Sequence, residues 1–257
     1  MAPPLCGSFL MPPGSLMSPA PGTLTLIGQF DSPFVRRVAI ALTEASIPFA
    51  HLPWSVFDDA DRLRLINPLV RVPTLVLEVS CALVDSHAML DHIERRAATA
   101  LRPASGAERD AALRVEGLAV GKTEKSVSLF YGYQLHREVS EFWAARCRSQ
   151  ILGAAQALDA AAQGHPTLHW FAGRLTHADI ALAAAWRFVH EAHPVLLDDA
   201  ALPALAAHAT ALEALPVFQV IAQSVIPPAR GSCTSSPSSF PSPTMSPAGV
   251  QPRARPP

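Results

Sequence analysis

The fold of this chain depends on one stretch, Ser32-Pro33-Phe34-Val35-Arg36-Arg37-Val38-Ala39-Ile40-Ala41-Leu42. A serine followed directly by proline is typical of a helix start, because Ser32 can cap the first turn and Pro33 lacks only an N–H that has no partner there. Behind them, apolar residues recur at helical spacing, and Arg36 and Arg37 are expected to face water. The apolar residues 23–28 predict a strand, so this helix begins just after a strand, and its N-terminus favours an anion such as a thiolate.

The composition favours a helix-rich globular protein. The chain has 257 residues, enough to bury a sizeable core in one large or two small domains. Its formal net charge is −1 and it contains no basic stripe, so nucleic acid is not an expected partner. The four cysteines lack the spacing of a zinc site or a disulfide framework, which fits a reducing compartment.

Membrane insertion and metal binding are not expected either. No apolar run approaches the roughly 20 residues that cross a bilayer, and the first 22 residues lack the positively charged start of a secretory signal. Two histidine pairs have helix-compatible spacing but no acid or cysteine in a ligand pattern beside them, His165 with His169 and His190 with His193. We therefore predict a cytoplasmic protein without a metal site.

Shifts in composition divide the chain into five segments. Residues 1–22 and 227–257 are rich in proline with glycine or serine, and both are predicted to be disordered tails. Residues 23–97 predict an α/β domain, residues 98–106 a linker, and residues 107–226 an all-helical domain. The helices of that last domain are placed near residues 107–135, 140–162, 176–192, 202–212 and 217–225.

A second motif lies in the α/β segment: Asn67-Pro68-Leu69-Val70-Arg71-Val72-Pro73-Thr74-Leu75. Pro73 comes directly before an apolar run that predicts a strand, and a proline at that position gives up no ladder bond. The Val72–Pro73 bond can be cis, which would turn the backbone of Val72 into a cleft. A third motif follows, in which either Asp85 or Ser86 can cap a helix.

The helical segment carries a fourth motif, Leu175-Thr176-His177-Ala178-Asp179-Ile180. Thr176 and Asp179 have the spacing of a capping box, and Leu175 and Ile180 that of a hydrophobic staple. Such a motif fixes the start of a helix. We assign it a structural role and none in catalysis.

Taken in order, these motifs resemble those of soluble glutathione S-transferases, particularly bacterial and plant members whose first helix opens with Ser-Pro-Phe or Ser-Pro-Tyr. The resemblance covers about residues 23–225. It implies the glutathione S-transferase fold, an α/β thioredoxin-like N-terminal domain followed by an all-α C-terminal helical bundle. The sequence departs from the family pattern in three places: Val70 replaces a common glycine, residues 78–81 lack the usual Asp-Gly turn, and His87 replaces a frequent arginine.

The resemblance also implies the roles of the site residues. The Ser32 hydroxyl would donate a hydrogen bond to the glutathione sulfur and keep it ionised. The backbone of Val72, before a cis proline, would pair with the cysteinyl group of glutathione. Ser86 would take the γ-glutamyl carboxylate, and Asp85 would take the ammonium group. The implied glutathione-binding residues are Phe34, Arg71, Val72, Pro73, Asp85 and Ser86.

The function that the resemblance implies is conjugation of the glutathione thiolate to a small apolar electrophile by a cytosolic detoxification enzyme. Glutathione would be the co-substrate and the assembly a homodimer. The same site can serve dehalogenation, isomerisation or peroxide reduction. Four aromatic residues of the predicted helices are expected in the core, with one or two of them at the electrophile pocket: Tyr131, Tyr133, Phe142 and Trp143.

Two other classes of function stay open. The chain can be a non-catalytic binding module that keeps the fold and holds glutathione weakly, for which the missing Asp-Gly turn and His87 are hints. A thiol–disulfide oxidoreductase of the glutaredoxin or omega-like type needs a cysteine at the helix start. This chain has Ser32 there, which disfavours that class.

Overall fold

The computed structural model describes residues 23–78, 81–165 and 167–228 of the chain. The two predicted tails lie outside the described residues, apart from Pro227 and Pro228. Within the described ranges, no helix combines the length and the apolar character that crossing a bilayer requires.

The N-terminal half is a four-stranded sheet with three helices. Its elements are β1 (Leu24–Ile27), α1 (Pro33–Glu44), β2 (Phe49–Leu52), α2 (Ala60–Arg64), β3 (Thr74–Glu78), β4 (Cys81–Leu83) and α3 (Ser86–Glu94). The strand order is β2-β1-β3-β4, with β1 and β2 parallel and the other pairs antiparallel. This arrangement is thioredoxin-like, as predicted for residues 23–97, and β1, α1 and β2 form a parallel β-α-β unit.

The β3–β4 hairpin is irregular, as the missing Asp-Gly turn predicts. Its register shifts between Val76 and Glu78, so that Val76 pairs with Ala82 and Glu78 with Cys81. Such a shift places an extra residue on one strand and bends the pair locally.

The C-terminal half is a bundle of helices built around α6. Its elements are α4 (Gly106–Leu135), α5 (Glu141–Gln163), α6 (His177–Ala192), a 3₁₀ turn (Asp199–Ala201), α7 (Pro203–Glu213) and α8 (Pro216–Val220). Helix α6 is buried over most of its length, because it packs against α4 and α7 of its own half and against α1 of the other. One cluster of buried apolar side chains therefore runs through both halves.

The N-terminus of α6 carries the predicted capping arrangement. The Asp179 carboxylate accepts hydrogen bonds from the backbone N–H (2.8 Å) and the hydroxyl (2.7 Å) of Thr176. Leu175 and Ile180, the predicted staple, are both buried. These contacts fix the start of the central helix, which agrees with a structural role for the motif.

The prediction that Arg36 and Arg37 face water is wrong, because the helical half packs against that face of α1. Each residue is only 2% exposed. Arg36 Nη1 and Nη2 bind the Glu213 carboxylate at 2.5 and 2.8 Å. The same side chain donates to the backbone carbonyls of Ile221 (2.7 Å) and Phe218 (2.8 Å). Arg36 therefore ties α1 to the end of α7 and to α8.

Arg37 belongs to a buried charge cluster between the two halves. Its Nη2 donates to Glu116 Oε1 at 2.5 Å, and Arg102 Nη2 binds the same carboxylate at 3.0 Å. Burial lowers the pKa of Arg37. Burial acts to raise the pKa of Glu116, but the charges of Arg37 and Arg102 outweigh it and hold that pKa below its usual value. One acid thus balances two guanidinium groups between α1 and α4.

The last helix ends earlier than the predicted range of 217–225. Helix α8 ends at Val220, and residues 222–228 belong to no helix or strand. Their N–H groups have acceptors on other elements: Val225 donates to Glu191 (2.8 Å) and Ile226 donates to Asp31 (3.2 Å). These acceptors replace the carbonyls that a continuing helix would offer.

Candidate functional site

The N-terminus of α1 opens onto a cavity of about 380 Å³ between the two halves. Loops of the α/β half form one part of its wall, and α4, α6 and residues 225–228 form the rest. The cavity brings together four of the predicted site residues: Ser32, Phe34, Arg71 and Val72. Two separate sequence motifs therefore meet at one place.

Ser32 is the N-cap of α1, as predicted. Its backbone is extended (φ −69°, ψ 118°), Pro33 follows at the start of the helix, and Ser32 Oγ accepts from the Val35 N–H at 3.4 Å. That bond is long, and the hydroxyl hydrogen donates to no described residue, so it is available to a group in the cavity. The first turn of α1 contains no acid. The site therefore offers an O–H donor and a helix N-terminus to an anion.

Buried polar groups hold the loop that carries Arg71 and Val72. Asn67 is fully buried, and its Nδ2 donates to the Arg71 carbonyl (3.0 Å) and to Thr74 Oγ1 (2.8 Å). The Val72–Pro73 peptide bond is cis, as the resemblance implies. The backbone around Val72 is therefore fixed at the cavity wall by its neighbours on both sides.

Val70 marks the place where this loop departs from the family pattern. Its φ is +49°, a left-handed conformation that a β-branched residue adopts only at a cost and glycine adopts freely. The Val70 N–H donates to the Asn67 carbonyl at 3.0 Å, which helps to hold this conformation. The loop therefore keeps, with valine, a backbone geometry that suits glycine better.

Gly28 allows α1 and the cis-proline loop to approach each other. Its φ is +131°, and a Cβ placed there would lie 2.5 Å from Val35 Cγ2 and 2.8 Å from Val72 Cβ. The His51 Nε2 atom lies 2.7 Å from the Gly28 carbonyl oxygen and fixes it from the β2 side. Both the backbone angle and the lack of space therefore require glycine at this position.

Gly28→Ala is expected to lower the free energy of unfolding by roughly 1–3 kcal/mol, because the new methyl group forces Val35 and Val72 apart. Gly117→Ala is the matched control, since Gly117 lies within α4 and a Cβ there meets nothing within 4 Å. The control is expected to stabilise the protein by up to about 1 kcal/mol. Urea unfolding of both variants measures the difference, and an unchanged midpoint for Gly28→Ala would contradict the close approach.

Three of the predicted residues lie outside this cavity. Asp85 is the N-cap of α3 and accepts from the N–H groups of His87 (2.8 Å) and Ala88 (3.4 Å). Ser86 is the first residue of α3 and is buried, and Pro73 is buried just before β3. Pro73 directly follows Val72 of the cavity wall, whereas Asp85 and Ser86 lie at the N-terminus of α3.

Aromatic side chains line much of the cavity. Of the four aromatic residues that the sequence assigns to the core, Tyr131 lies there. The core prediction is wrong for Tyr133, Phe142 and Trp143, which are 41%, 84% and 37% exposed and do not line the cavity. Helical periodicity marks residues of α4 and α6 as core, and no local signal separates a cavity wall from a core. The aromatic residues of the wall that sequence analysis missed are Trp54, Phe57, Phe130 and Phe188.

The aromatic rings of the wall pack edge to face. The Phe57 and Tyr131 ring centroids are 5.8 Å apart at 78°, and those of Phe130 and Phe188 are 6.1 Å apart at 76°. The first pair joins a loop of the α/β half to α4, and the second joins α4 to α6. The apolar wall is therefore assembled from both halves of the protein, in geometries that aromatic pairs prefer.

Asp31, directly before Ser32, is a further polar group of the cavity. Its carboxylate is partly buried and accepts from the Ile226 N–H at 3.2 Å. Burial raises the pKa of Asp31 by more than this hydrogen bond lowers it. Burial also raises the pKa of Tyr131, and the charge of Asp31 acts in the same direction. Asp31 therefore adds a partly buried carboxyl group to the cavity wall beside Ser32.

No group of three or more His, Cys, Asp or Glu side chains among the described residues is placed to hold a metal ion. The two histidine pairs noted in the sequence contact other groups or lie in a loop. His190 Nε2 lies 2.7 Å from Asp199 Oδ1, and His193 Nε2 lies 3.0 Å from a backbone carbonyl of α4. His165 and His169 lie in the loop between α5 and α6.

Comparisons with known proteins agree with this architecture. Residues 26–102 match the family model of the glutathione S-transferase N-terminal domain, and residues 141–211 match that of the glutathione S-transferase C-terminal domain. A glutathione S-transferase of Methylobacterium radiotolerans, solved in complex with glutathione sulfonate, matches with a TM-score of 0.71 and 30% sequence identity. That match covers 79% of this chain and 98% of the other.

Two further relatives have similar identity. A glutathione transferase family member from Pseudomonas fluorescens, solved with bound glutathione, matches with a TM-score of 0.69 and 27% identity, over 79% of this chain and 100% of that one. YibF, an uncharacterized GST-like protein of Escherichia coli, is 32% identical over 99 residues, which is 38% of this chain and 49% of YibF. The match to YibF thus spans about half of its length, whereas the two structural matches span nearly the whole of theirs.

Proposed function

Because this chain belongs to the glutathione S-transferase family, we propose that it is a glutathione transferase that conjugates the glutathione thiolate to a small apolar electrophile. The observation that supports this proposal most is the position of Ser32. Its hydroxyl caps α1 at the wall of a cavity that has aromatic sides. Glutathione is the co-substrate in this proposal, and no metal takes part.

In this proposal Ser32 donates its O–H to the glutathione sulfur, and the N-terminus of α1 adds its positive end. A free alkyl thiol has a pKa of about 8.5, and lowering it by one to two units takes roughly 1.4–2.7 kcal/mol of preferential interaction with the anion. A hydrogen bond to a charged group together with a helix N-terminus is of this order. The thiol proton passes to solvent, the sulfur forms a bond to the electrophilic carbon, and the leaving group departs with its electron pair.

The other predicted residues position the tripeptide. The backbone of Val72 pairs with the cysteinyl group, and Arg71 and Phe34 contribute a cation and an apolar contact at the same cavity. Ser86, at the N-terminus of α3, takes the γ-glutamyl carboxylate, and Asp85 takes the ammonium group. The Methylobacterium radiotolerans and Pseudomonas fluorescens relatives, which hold glutathione sulfonate and glutathione, support glutathione as the ligand.

The proposal includes a location and an assembly. The protein acts in the cytoplasm, which the scattered cysteines support. It forms a homodimer in which the α/β half of one subunit contacts the helices of the other. Cell fractionation that recovers the protein with membranes, or light scattering that gives a monomer, would contradict these two parts of the proposal.

Ser32→Ala is expected to lower the rate of conjugation of 1-chloro-2,4-dinitrobenzene roughly 8- to 25-fold near pH 7, because the thiolate fraction falls as the thiol returns towards its free pKa. The loss is expected to shrink as the pH approaches 8.5, where free glutathione is about half ionised. Calorimetry is expected to show nearly unchanged glutathione affinity. The rate and the affinity together separate thiolate stabilisation from binding.

Ser140→Ala is the matched control, because Ser140 is the N-cap of α5 and also accepts from an N–H three residues on, at 3.4 Å. It removes an equivalent cap away from the cavity and is expected to leave the rate unchanged. Equal rates for wild type and Ser32→Ala would mean that another group holds the sulfur. A wild-type protein that binds glutathione weakly and conjugates nothing would favour the non-catalytic module instead.

A further inference from the structure

After α8, the chain runs along the cavity as a segment without helix or strand. We call residues 222–228 the C-terminal strap, and its last four residues line the cavity that Ser32 faces. Ile226 is 52% exposed, so the strap forms a wall between the cavity and solvent. The residues that it contributes to the wall are all apolar: Val225, Ile226, Pro227 and Pro228.

Side chains of distant elements hold the strap in place. The Val225 N–H donates to Glu191 Oε2 on α6 at 2.8 Å, and the Ile226 N–H donates to Asp31 Oδ2 at 3.2 Å. These bonds link backbone to side chain and belong to no helix or sheet ladder. The strap can therefore open without breaking an element of secondary structure.

The loop that leads into Ser32 carries two of the groups that bind the strap. The Phe30 N–H donates to Gln223 Oε1 at 3.1 Å, and Asp31 accepts from Ile226 at 3.2 Å. Asp31 is directly followed by Ser32, the N-cap of α1. The position of the strap and the start of the α1 helix are therefore coupled by short contacts.

The size of the cavity gives the strap a role in selecting substrates. At about 380 Å³, the cavity lies near the lower end of the roughly 300–1,000 Å³ that ligand sites occupy. Beside the glutathione sulfur, this space suits an electrophile with one aromatic ring. A larger electrophile has to displace part of the wall, and the strap is a part that belongs to no helix or strand and is held through single side-chain acceptors.

We propose that the C-terminal strap sets the upper size limit of the electrophile, and that Asp31 is the positioning residue that holds the strap beside Ser32. This inference rests on the proposed function, because it concerns the electrophile side of the same site. Asp31 does not touch the reacting atoms in it and acts only through the strap.

Two substitutions of Asp31 in the full-length protein test the inference. Asp31→Leu removes the acceptor, whereas Asp31→Asn keeps a carbonyl oxygen for the Ile226 N–H and removes only the charge. Asp31→Leu is expected to speed amide exchange at Val225 and Ile226 by about tenfold, measured by NMR. It is also expected to raise the ratio of kcat/KM for the bicyclic 7-chloro-4-nitrobenzoxadiazole over that for 1-chloro-2,4-dinitrobenzene, by about fivefold. Asp31→Asn is expected to keep both values close to wild type.

A second pair of variants approaches the strap from the other side. Glu191→Leu frees the Val225 N–H from α6 and leaves the loop before Ser32 intact, whereas Glu191→Gln keeps an acceptor. Glu191→Leu is expected to change the exchange and the rate ratio in the same direction as Asp31→Leu. If Asp31→Leu does not fold, Glu191→Leu still tests whether loosening the strap changes the rate ratio.

Three results would overturn the inference. The first is unchanged exchange in both leucine variants, because the strap would then not depend on these acceptors. The second is faster exchange with an unchanged rate ratio, because the strap would then not limit substrate size. The third is equal behaviour of Asp31→Leu and Asp31→Asn, because charge rather than the acceptor would then matter. A wild type that conjugates neither substrate contradicts the proposed function and the size limit with it, while amide exchange still decides whether Asp31 holds the strap.

Discussion

Glu116→Gln is expected to lower the free energy of unfolding by about 3–5 kcal/mol, because it removes the acid that Arg37 and Arg102 share. Arg37 is 2% exposed, and its Nε and Nη1 have no hydrogen-bond partner in the described part of the chain. Without the carboxylate, this buried cation loses the main charge that offsets the loss of its hydration. Urea unfolding at pH 7 measures the change.

An exposed ion pair of the same protein provides the control. Asp91 and Arg95 lie 3.1 Å apart on α3 with side chains 63% and 69% exposed, so Asp91→Asn is expected to cost less than about 1 kcal/mol. The double variant Arg37→Met/Glu116→Leu is expected to recover much of the loss, because the most buried cation is removed together with its acid. A loss as small as that of the control would contradict this account of the cluster.

Lys122→Met is expected to raise the free energy of unfolding by about 2–4 kcal/mol at pH 7, because methionine fills a similar volume without a charge. Lys122 lies on α4, is 1% exposed, and its Nζ has no hydrogen-bond partner within the described ranges. Burial lowers its pKa from 10.5 to about 7. The Trp186 ring, 5.6 Å from Nζ, attracts the charged form and offsets part of the cost.

The same shift gives the stability a pH dependence of known sign. Between about pH 7 and 10.5 the folded protein holds Lys122 neutral while the unfolded chain keeps the proton, so the stability of the wild type rises with pH in this window. Below about pH 7 both states are protonated and the full cost of burial is present. The advantage of Lys122→Met is therefore expected to shrink from pH 7 towards pH 10 in urea unfolding.

Lys125→Met, on the same helix at a partly exposed position, is the control and is expected to change stability by less than about 0.5 kcal/mol. Two outcomes would contradict the prediction for Lys122. One is equal stability of wild type and Lys122→Met at pH 7. The other is an advantage that does not vary with pH, because better packing of the methionine rather than titration of Lys122 would then be responsible.

Much of the fold can be predicted from the sequence because its signals are local. Ser32 and Pro33 start α1, Asp85 caps α3, and Asp179 binds back to Thr176 at the start of α6. In each case the hydrogen-bonded groups lie within three residues of one another. The spacing in the sequence is therefore enough to predict the cap. The same is true of the alternation of strands and helices that leads to the thioredoxin-like sheet.

The predictions fail where the partner lies far away along the chain. Arg36 and Arg37 occupy a helix face that local polarity assigns to water, but their acids stand 177 and 79 residues away. The path of the chain after the last helix includes a hydrogen bond from Ile226 to Asp31, which is 195 residues away. The spacing of apolar residues within one helix contains no information about hydrogen-bond acceptors on another element.

The candidate site divides in the same way. Ser32 and Val72 belong to sequence motifs that resemble those of the family, and the structure places both residues at one cavity. The apolar wall is contributed by loops, helices and the strap, and its residues look like ordinary core or surface when each element is taken alone. Phe57 and Phe188 are examples, because only the packing of the two halves brings them to the same cavity.

The two arginines of α1 pair with Glu213 and Glu116 of the helical half. Exchanging one half for that of another protein therefore breaks both ion pairs. A chimera that fuses this α/β half to the helices of another family member would bury two unpaired guanidinium groups unless both acids were carried over. Expression of the α/β half by itself would expose the same pair of cations on a helix that is otherwise apolar. The two halves look like separate modules in their topology, but their buried ion pairs require that they be kept together.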